Sequence, residues 1–154
     1  MKKLFTLRGV SNTGKSTKVK LIAEWININY SAINHGIDFS KHDIIGVLQI
    51  NKLKIGFVSA GDDLNQVKQI EKLLSLHKND ENNPGSDIDI IINTCRTKGA
   101  GRKYLENNFN HSKGWVSKNI FVERINPAST VLQAARDNRI LDELKTWLTG
   151  VEKL

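Results

Sequence analysis

Apolar residues recur along the chain with two different periods, and the alternation between them sets the order of the elements. The run Leu4-Phe5-Thr6-Leu7 reads as a strand. From Lys15 to Asn29, Val19, Ile22, Ala23 and Ile26 stand at i, i+3, i+4 and i+7. That spacing is one helical face packed on a sheet. Residues 30–42 are mixed and loop-like. Asp43–Ile50 and Leu53–Ala60 read as two strands, and the two residues Asn51-Lys52 between them suffice for an antiparallel hairpin.

Gly61-Asp62-Asp63 leads into an expected helix over Leu64–His77, with Leu64, Val67, Ile70, Leu73 and Leu74 as its apolar stripe. Asn79–Ser86, with Pro84 and Gly85, reads as a surface loop. Ile88–Asn93 is β-branched and reads as a buried strand, followed by a short helix over Arg102–Asn108. Asn119–Val122 is a further short strand. Asn126-Pro127-Ala128-Ser129 is a turn and helix start, with Ser129 as the N-cap. A long final helix carries Leu132, Ala135, Leu141, Leu144 and Leu148.

Strands alternating with helices predict an α/β fold: a three-layer sandwich around a largely parallel central sheet, with one antiparallel hairpin. The 154 residues fit a single domain, 1–154. In such sheets ligands sit beyond the carboxyl ends of the strands. Those ends are Arg8-Gly9, Ser59–Asp62, Asn93–Arg96 and Arg124–Asn126, and all four are expected to converge on one ligand.

Between the first strand and the first helix stands Gly9-Val10-Ser11-Asn12-Thr13-Gly14-Lys15-Ser16, the pattern G-x-x-x-x-G-K-[ST]. Strand, glycine loop and helix in this order make an anion cradle. Loop N–H groups point inward, and the helix start adds about half a positive charge. Gly9 suits a sharp turn out of the strand, and Gly14 a close approach of backbone to anion. Lys15 can reach β- and γ-phosphates, and the Ser16 hydroxyl can ligate Mg²⁺. Over residues 3–17 the chain resembles the P-loop NTPase superfamily, and its element order is similar to that of the nucleoside and nucleotide kinases within it. The resemblance implies Mg²⁺–nucleotide binding by Gly9, Val10, Ser11, Asn12, Thr13, Gly14, Lys15, Ser16 and Thr17.

It also implies an acid near a neighbouring strand end to hold the metal with Ser16. Asp62 fits best and Asp63 is the alternative, although Ser59, Ala60 and Gly61 separate either from the last large apolar residue. Each acid would also serve as a cap for the following helix. Asp87 and Asp89 begin a strand and so lie at the wrong edge. Arg96, and after it Arg102, stand in a glycine-flanked basic stretch that looks like the arginine-bearing lid of small-molecule kinases. Asp38, ahead of Asp43, is the candidate for orienting an acceptor hydroxyl. Asn126 would stand where a strand-to-helix loop meets the adenine. The guanine-selecting N-K-x-D motif is absent from Asn93-Thr94-Cys95-Arg96, which argues for ATP over GTP.

The expected activity is transfer of the γ-phosphoryl of Mg²⁺–ATP to a small acceptor; the alternative is an NTPase or switch acting on a partner. Lys and Arg exceed Asp and Glu by 23 − 16 = 7, which suits anionic ligands. The basic residues are scattered and not interleaved with aromatics, so nucleic acid is not the favoured partner. No apolar stretch is long enough to span a membrane. The lone Cys95 forms no internal disulfide, which with Mg²⁺–nucleotide chemistry suggests the cytoplasm. His35, His42, His77 and His111 show no metal spacing.

Overall fold

Lys2–Arg8 form β1, in which Leu4, Phe5, Thr6 and Leu7 are all buried. Alternate residues of a strand face opposite sides, so both faces of β1 are covered, as in the interior of a parallel sheet. The computed structural model describes residues 2–10, 13–77, 87–126 and 129–148. The loop expected over 79–86, and Pro127 and Ala128 of the expected turn, lie outside the described residues.

The other strands are β2 (Ile33–His35), β3 (Ile45–Ile50), β4 (Leu53–Val58), β5 (Ile90–Cys95) and β6 (Trp115–Phe121). They form one six-stranded sheet in the order β2-β3-β4-β5-β1-β6. The β4–β5, β5–β1 and β1–β6 pairs are parallel, and β2–β3 and β3–β4 are antiparallel. The carboxyl ends of β4, β5, β1 and β6 therefore share one edge. The hairpin stands as expected, pairing Ile45 with Val58 through Ile50 with Leu53, with Asn51 at φ 54° in its turn. Asparagine tolerates that left-handed conformation better than most residues.

The helices are α1 (Lys15–Asn29), α2 (Leu64–Val67), α3 (Gln69–Leu76), α4 (Ala100–Asn108) and α5 (Thr130–Leu148). One core cluster joins Phe5, Leu7 and Ile92 to Ile22 of α1 and to Ile140 and Leu144 of α5. A second joins Leu4 and Ile91 to Val67, Ile70 and Leu73 and to Leu105 of α4. Helices thus cover both faces of a mostly parallel mixed sheet, an α/β arrangement compatible with three layers. No described helix is long and apolar enough to cross a membrane.

Four local expectations need correction. Residues 30–42 contain β2, whose three residues are half-exposed or exposed and carry no alternating apolar signal. The helix expected over Leu64–His77 is two helices, α2 and α3, parted at Lys68 with no proline or glycine to mark the break. The strand expected over Asn119–Val122 begins at Trp115, because an edge strand tolerates Ser117, Lys118 and Asn119. In α5 the buried side chains are Arg136, Ile140, Leu144 and Leu148, four residues apart, while Leu132 and Ala135 are exposed. Arg136 tolerates burial because its guanidinium donates to the Glu123 carbonyl at 2.6 Å and pairs with Asp137. Ser129 does cap α5, its hydroxyl accepting from the Leu132 N–H at 3.3 Å.

Candidate functional site

The chain leaves β1 at Gly9, where it is held between its sheet neighbours. The Gly9 N–H donates to the Cys95 carbonyl at 3.3 Å, and a Cβ on Gly9 would lie 2.6 Å from the Val122 carbonyl oxygen. The need for glycine at this position is one of space. At Gly14 the need is conformational, since its φ of 79° lies in the left-handed region. Gly14 is the N-cap of α1 and supplies no side-chain acceptor, and the first turn contains no acid. Among the described residues no side chain caps the opening N–H groups of α1, which is the condition for an anion site at a helix start. Ser11 and Asn12 lie outside the described residues.

Lys15 folds back over the loop. Its Nζ donates to the Gly9 and Val10 carbonyls at 2.9 Å each, with only 5% of the side chain exposed. Asp62 Oδ1 stands 3.5 Å from the same nitrogen, and its own side chain is 54% exposed. Burial lowers the Lys15 pKa, Asp62 works against that shift, and the nearby Arg96 adds to it. The two acids at this edge have separate tasks. Asp63 accepts from the Gln66 N–H at 2.8 Å and caps α2, while Asp62 faces the amine.

Ser16 opens the second tier of contacts. Its hydroxyl donates to the Ser59 carbonyl at 2.9 Å, and the Thr94 hydroxyl donates to the same oxygen at 2.8 Å. Ser59 in turn donates from Oγ to Asp43 Oδ1 at 3.2 Å and accepts from the Ile44 N–H at 2.8 Å. The ends of α1, β4 and β5 are thereby joined around one buried serine. Thr13 closes the loop on itself, donating to the Val10 carbonyl at 2.9 Å.

Beyond Asp62 lies a cleft of about 260 Å³ lined in part by Asp62, Arg96, Lys98 and Arg102. Arg96 is exposed at its rim. Arg102 is tethered, donating to Glu106 at 2.8 Å and to the Thr97 carbonyl at 2.9 Å. Asp38 does not line this cleft. It is exposed and bonds the Ser40 hydroxyl and N–H, which together lower its pKa. Asn126 and Thr17 are exposed as well. Asp89 is far from the strand carboxyl ends, accepting from the Lys54 N–H at the start of β4. Burial pushes the Cys95 thiol pKa up, as befits a small interior residue and not a nucleophile.

Two cations that the residue pattern does not single out also belong to this region. Lys18, buried, donates to the Gly14 carbonyl at 3.2 Å and pairs with Asp137 of α5 at 2.8 Å. It stands one turn after Lys15, which is the only trace of its role in the sequence. Arg8 immediately precedes Gly9 and reaches Glu106 at 3.3 Å. Among the described residues no group of three or more His, Cys, Asp or Glu is arranged to hold a metal. Ser16 and Asp62 offer one hydroxyl and one carboxylate. That suits Mg²⁺, which keeps several waters and takes much of its coordination from phosphates. No protein-family model, curated protein or solved structure matches the chain.

Proposed function

We propose that the chain binds Mg²⁺–ATP at the start of α1 and transfers the γ-phosphoryl to a small acceptor. The observation that carries this is the opening turn of α1, entered through a left-handed Gly14 that offers it no side-chain cap, with the Lys15 ammonium held against the preceding loop carbonyls. Phosphate oxygens would replace those carbonyls as partners of Lys15 and accept from the opening N–H groups. Ser16 and Asp62 would hold Mg²⁺, which when bound neutralises charge on the β- and γ-phosphates. Arg96, at the rim of the cleft, would meet the charge that spreads over the transferred group. The acceptor hydroxyl oxygen would bond the γ-phosphorus as the bond from that phosphorus to the ADP oxygen breaks, and the hydroxyl proton would pass to a neighbouring carboxylate. Asp43 is the better-supported group to orient that hydroxyl, because Ser59 links it to Ser16, whereas Asp38 is engaged with Ser40.

The test is ADP release measured with Mg²⁺–ATP against a panel of nucleosides, nucleotides and small metabolites. Release stimulated by one acceptor is the expected result. Slow release that no acceptor changes identifies the alternative, an NTPase or nucleotide-dependent switch. Absence of ATP binding on folded protein removes both. Asp62→Asn is expected to reduce turnover and its Mg²⁺ dependence by about tenfold or more while costing about 1 kcal/mol of stability or less, through the lost pairing with Lys15. Asp62 is more than half exposed and caps nothing, so a drop in melting temperature with unchanged turnover would return it to a structural role.

A further inference from the structure

A cavity that none of these steps uses lies beneath α4, on the face of β1 and β6 opposite to α1 and α5. Its volume is about 350 Å³, within the range of small-molecule sites. One end is apolar, walled by Leu4, Leu105, Phe109 and Trp115. The Phe109 and Trp115 rings meet edge to face at 4.9 Å and present a stiff aromatic surface.

The other end is polar and carries Arg8, Glu106 and Asn119. The Arg8 side chain is only 14% exposed: its guanidinium lies against Cys95 and reaches Glu106 at 3.3 Å, and its Nε is closed off from solvent. A guanidinium in the wall of a cavity is a ready partner for an anionic oxygen. Charge points the same way. The Glu106 carboxylate is shared by two guanidiniums, Arg8 at 3.3 Å and Arg102 at 2.8 Å, so it offsets the Arg8 charge only in part. Arg8 adjoins Gly9, and Arg102 lines the cleft beyond Asp62, so the chain Arg8–Glu106–Arg102 runs from this cavity to the region of the glycine loop.

We infer that this cavity binds a small aromatic anion, its ring against Phe109 and Trp115 and its carboxylate or phosphate on Arg8. Taken with the nucleotide-binding reading, on which this second step rests, that anion is the acceptor.

The experiment is calorimetric titration of the full chain with benzoate, phenyl phosphate and the uncharged benzyl alcohol, with Mg²⁺–ATP titrated into the same preparation. At least one anion is expected to bind about tenfold or more tightly than benzyl alcohol. Arg8→Met should weaken that binding about tenfold, and Asn119→Trp, which fills the cavity from an exposed strand position, should abolish it at an unchanged melting temperature. Tighter benzoate assigns a carboxylate ligand, and tighter phenyl phosphate a phosphate ester. No heat from either anion overturns the inference, as does equal binding by benzyl alcohol or by well-folded Asn119→Trp. Mg²⁺–ATP binding without anion binding sinks the cavity alone. Anion binding without Mg²⁺–ATP binding sinks the nucleotide reading and leaves the cavity standing.

Discussion

Lys15→Ala is expected to weaken Mg²⁺–ATP binding by about a hundredfold or more, equivalent to roughly 3 kcal/mol, measured by calorimetry on the purified chain. The ammonium is buried to 5% exposure and confined by two carbonyls and a carboxylate. Little conformational freedom then remains to be lost when phosphate oxygens take over as its partners. Charge-assisted hydrogen bonds in such partly dry surroundings are among the strongest a protein makes. The fold should tolerate the change. Asp62 is left with solvent on one side, and the Gly9 and Val10 carbonyls belong to a loop, so a stability loss of about 1–2 kcal/mol is the expected ceiling. Lys15→Arg should fail to restore binding, because a planar fork does not occupy the place of a compact ammonium. The lowered Lys15 pKa adds a second signature. An amine with a depressed pKa loses its charge earlier as pH rises, so nucleotide affinity should decline at a lower alkaline pH than an ordinary lysine would allow. Wild-type affinity in the alanine variant would remove Lys15 from the site.

Gly61→Ala is expected to cost about 3 kcal/mol, or roughly 6–12 °C in melting temperature for a domain of this size. Gly61 lies against β5 so closely that a Cβ would collide with the Thr94 carbonyl oxygen and hydroxyl. Neither can retreat easily, since β5 is an interior strand of the sheet and the Thr94 hydroxyl is bonded to Ser59. The displaced segment is the one that carries Asp62 to Lys15 and Asp63 to the start of α2. Loss of nucleotide binding should therefore exceed what the stability change alone accounts for. Thermal melting and calorimetry on the same sample separate the two effects. A variant as stable as the parent would mean the β4–α2 segment shifts freely, against the packing described.

The parts legible in the sequence are those where one short-range signal suffices. α1 runs from Lys15 to Asn29, as its apolar spacing dictates, and the Asn51-Lys52 hairpin follows from two β-branched runs around a two-residue turn. The parts that were not legible depend on distant partners. β2 is a strand only because β3 offers it an edge, and β6 extends through polar residues because β1 pairs along its full length. Arg136 is buried by a carbonyl that lies thirteen residues earlier in the chain. At the site, local pattern singles out Gly9, Gly14, Lys15 and Ser16, but it does not carry two further demands on the glycines. Gly9 is crowded by the Val122 carbonyl just past β6, and Gly14 holds a left-handed backbone angle. Which of Asp62 and Asp63 caps α2 could not be told from adjacent identical side chains. Lys18 and Arg8 were hidden for another reason: a lysine on a helix and an arginine at a strand end are ordinary until Asp137 and Glu106 are seen across from them.

A carbonyl oxygen has two lone pairs, and on Ser59 both are spoken for, one by the hydroxyl of Ser16 and one by that of Thr94. Should the Ser16 hydroxyl swing away toward a cation, one of those lone pairs falls vacant while the other still tethers β4 to β5. The electron density on that single oxygen becomes a gauge of occupancy at the helix start. The ¹³C resonance of the Ser59 carbonyl should move when Mg²⁺–ATP is added, and a resonance that stays put at saturation would mean that Ser16 never lets go.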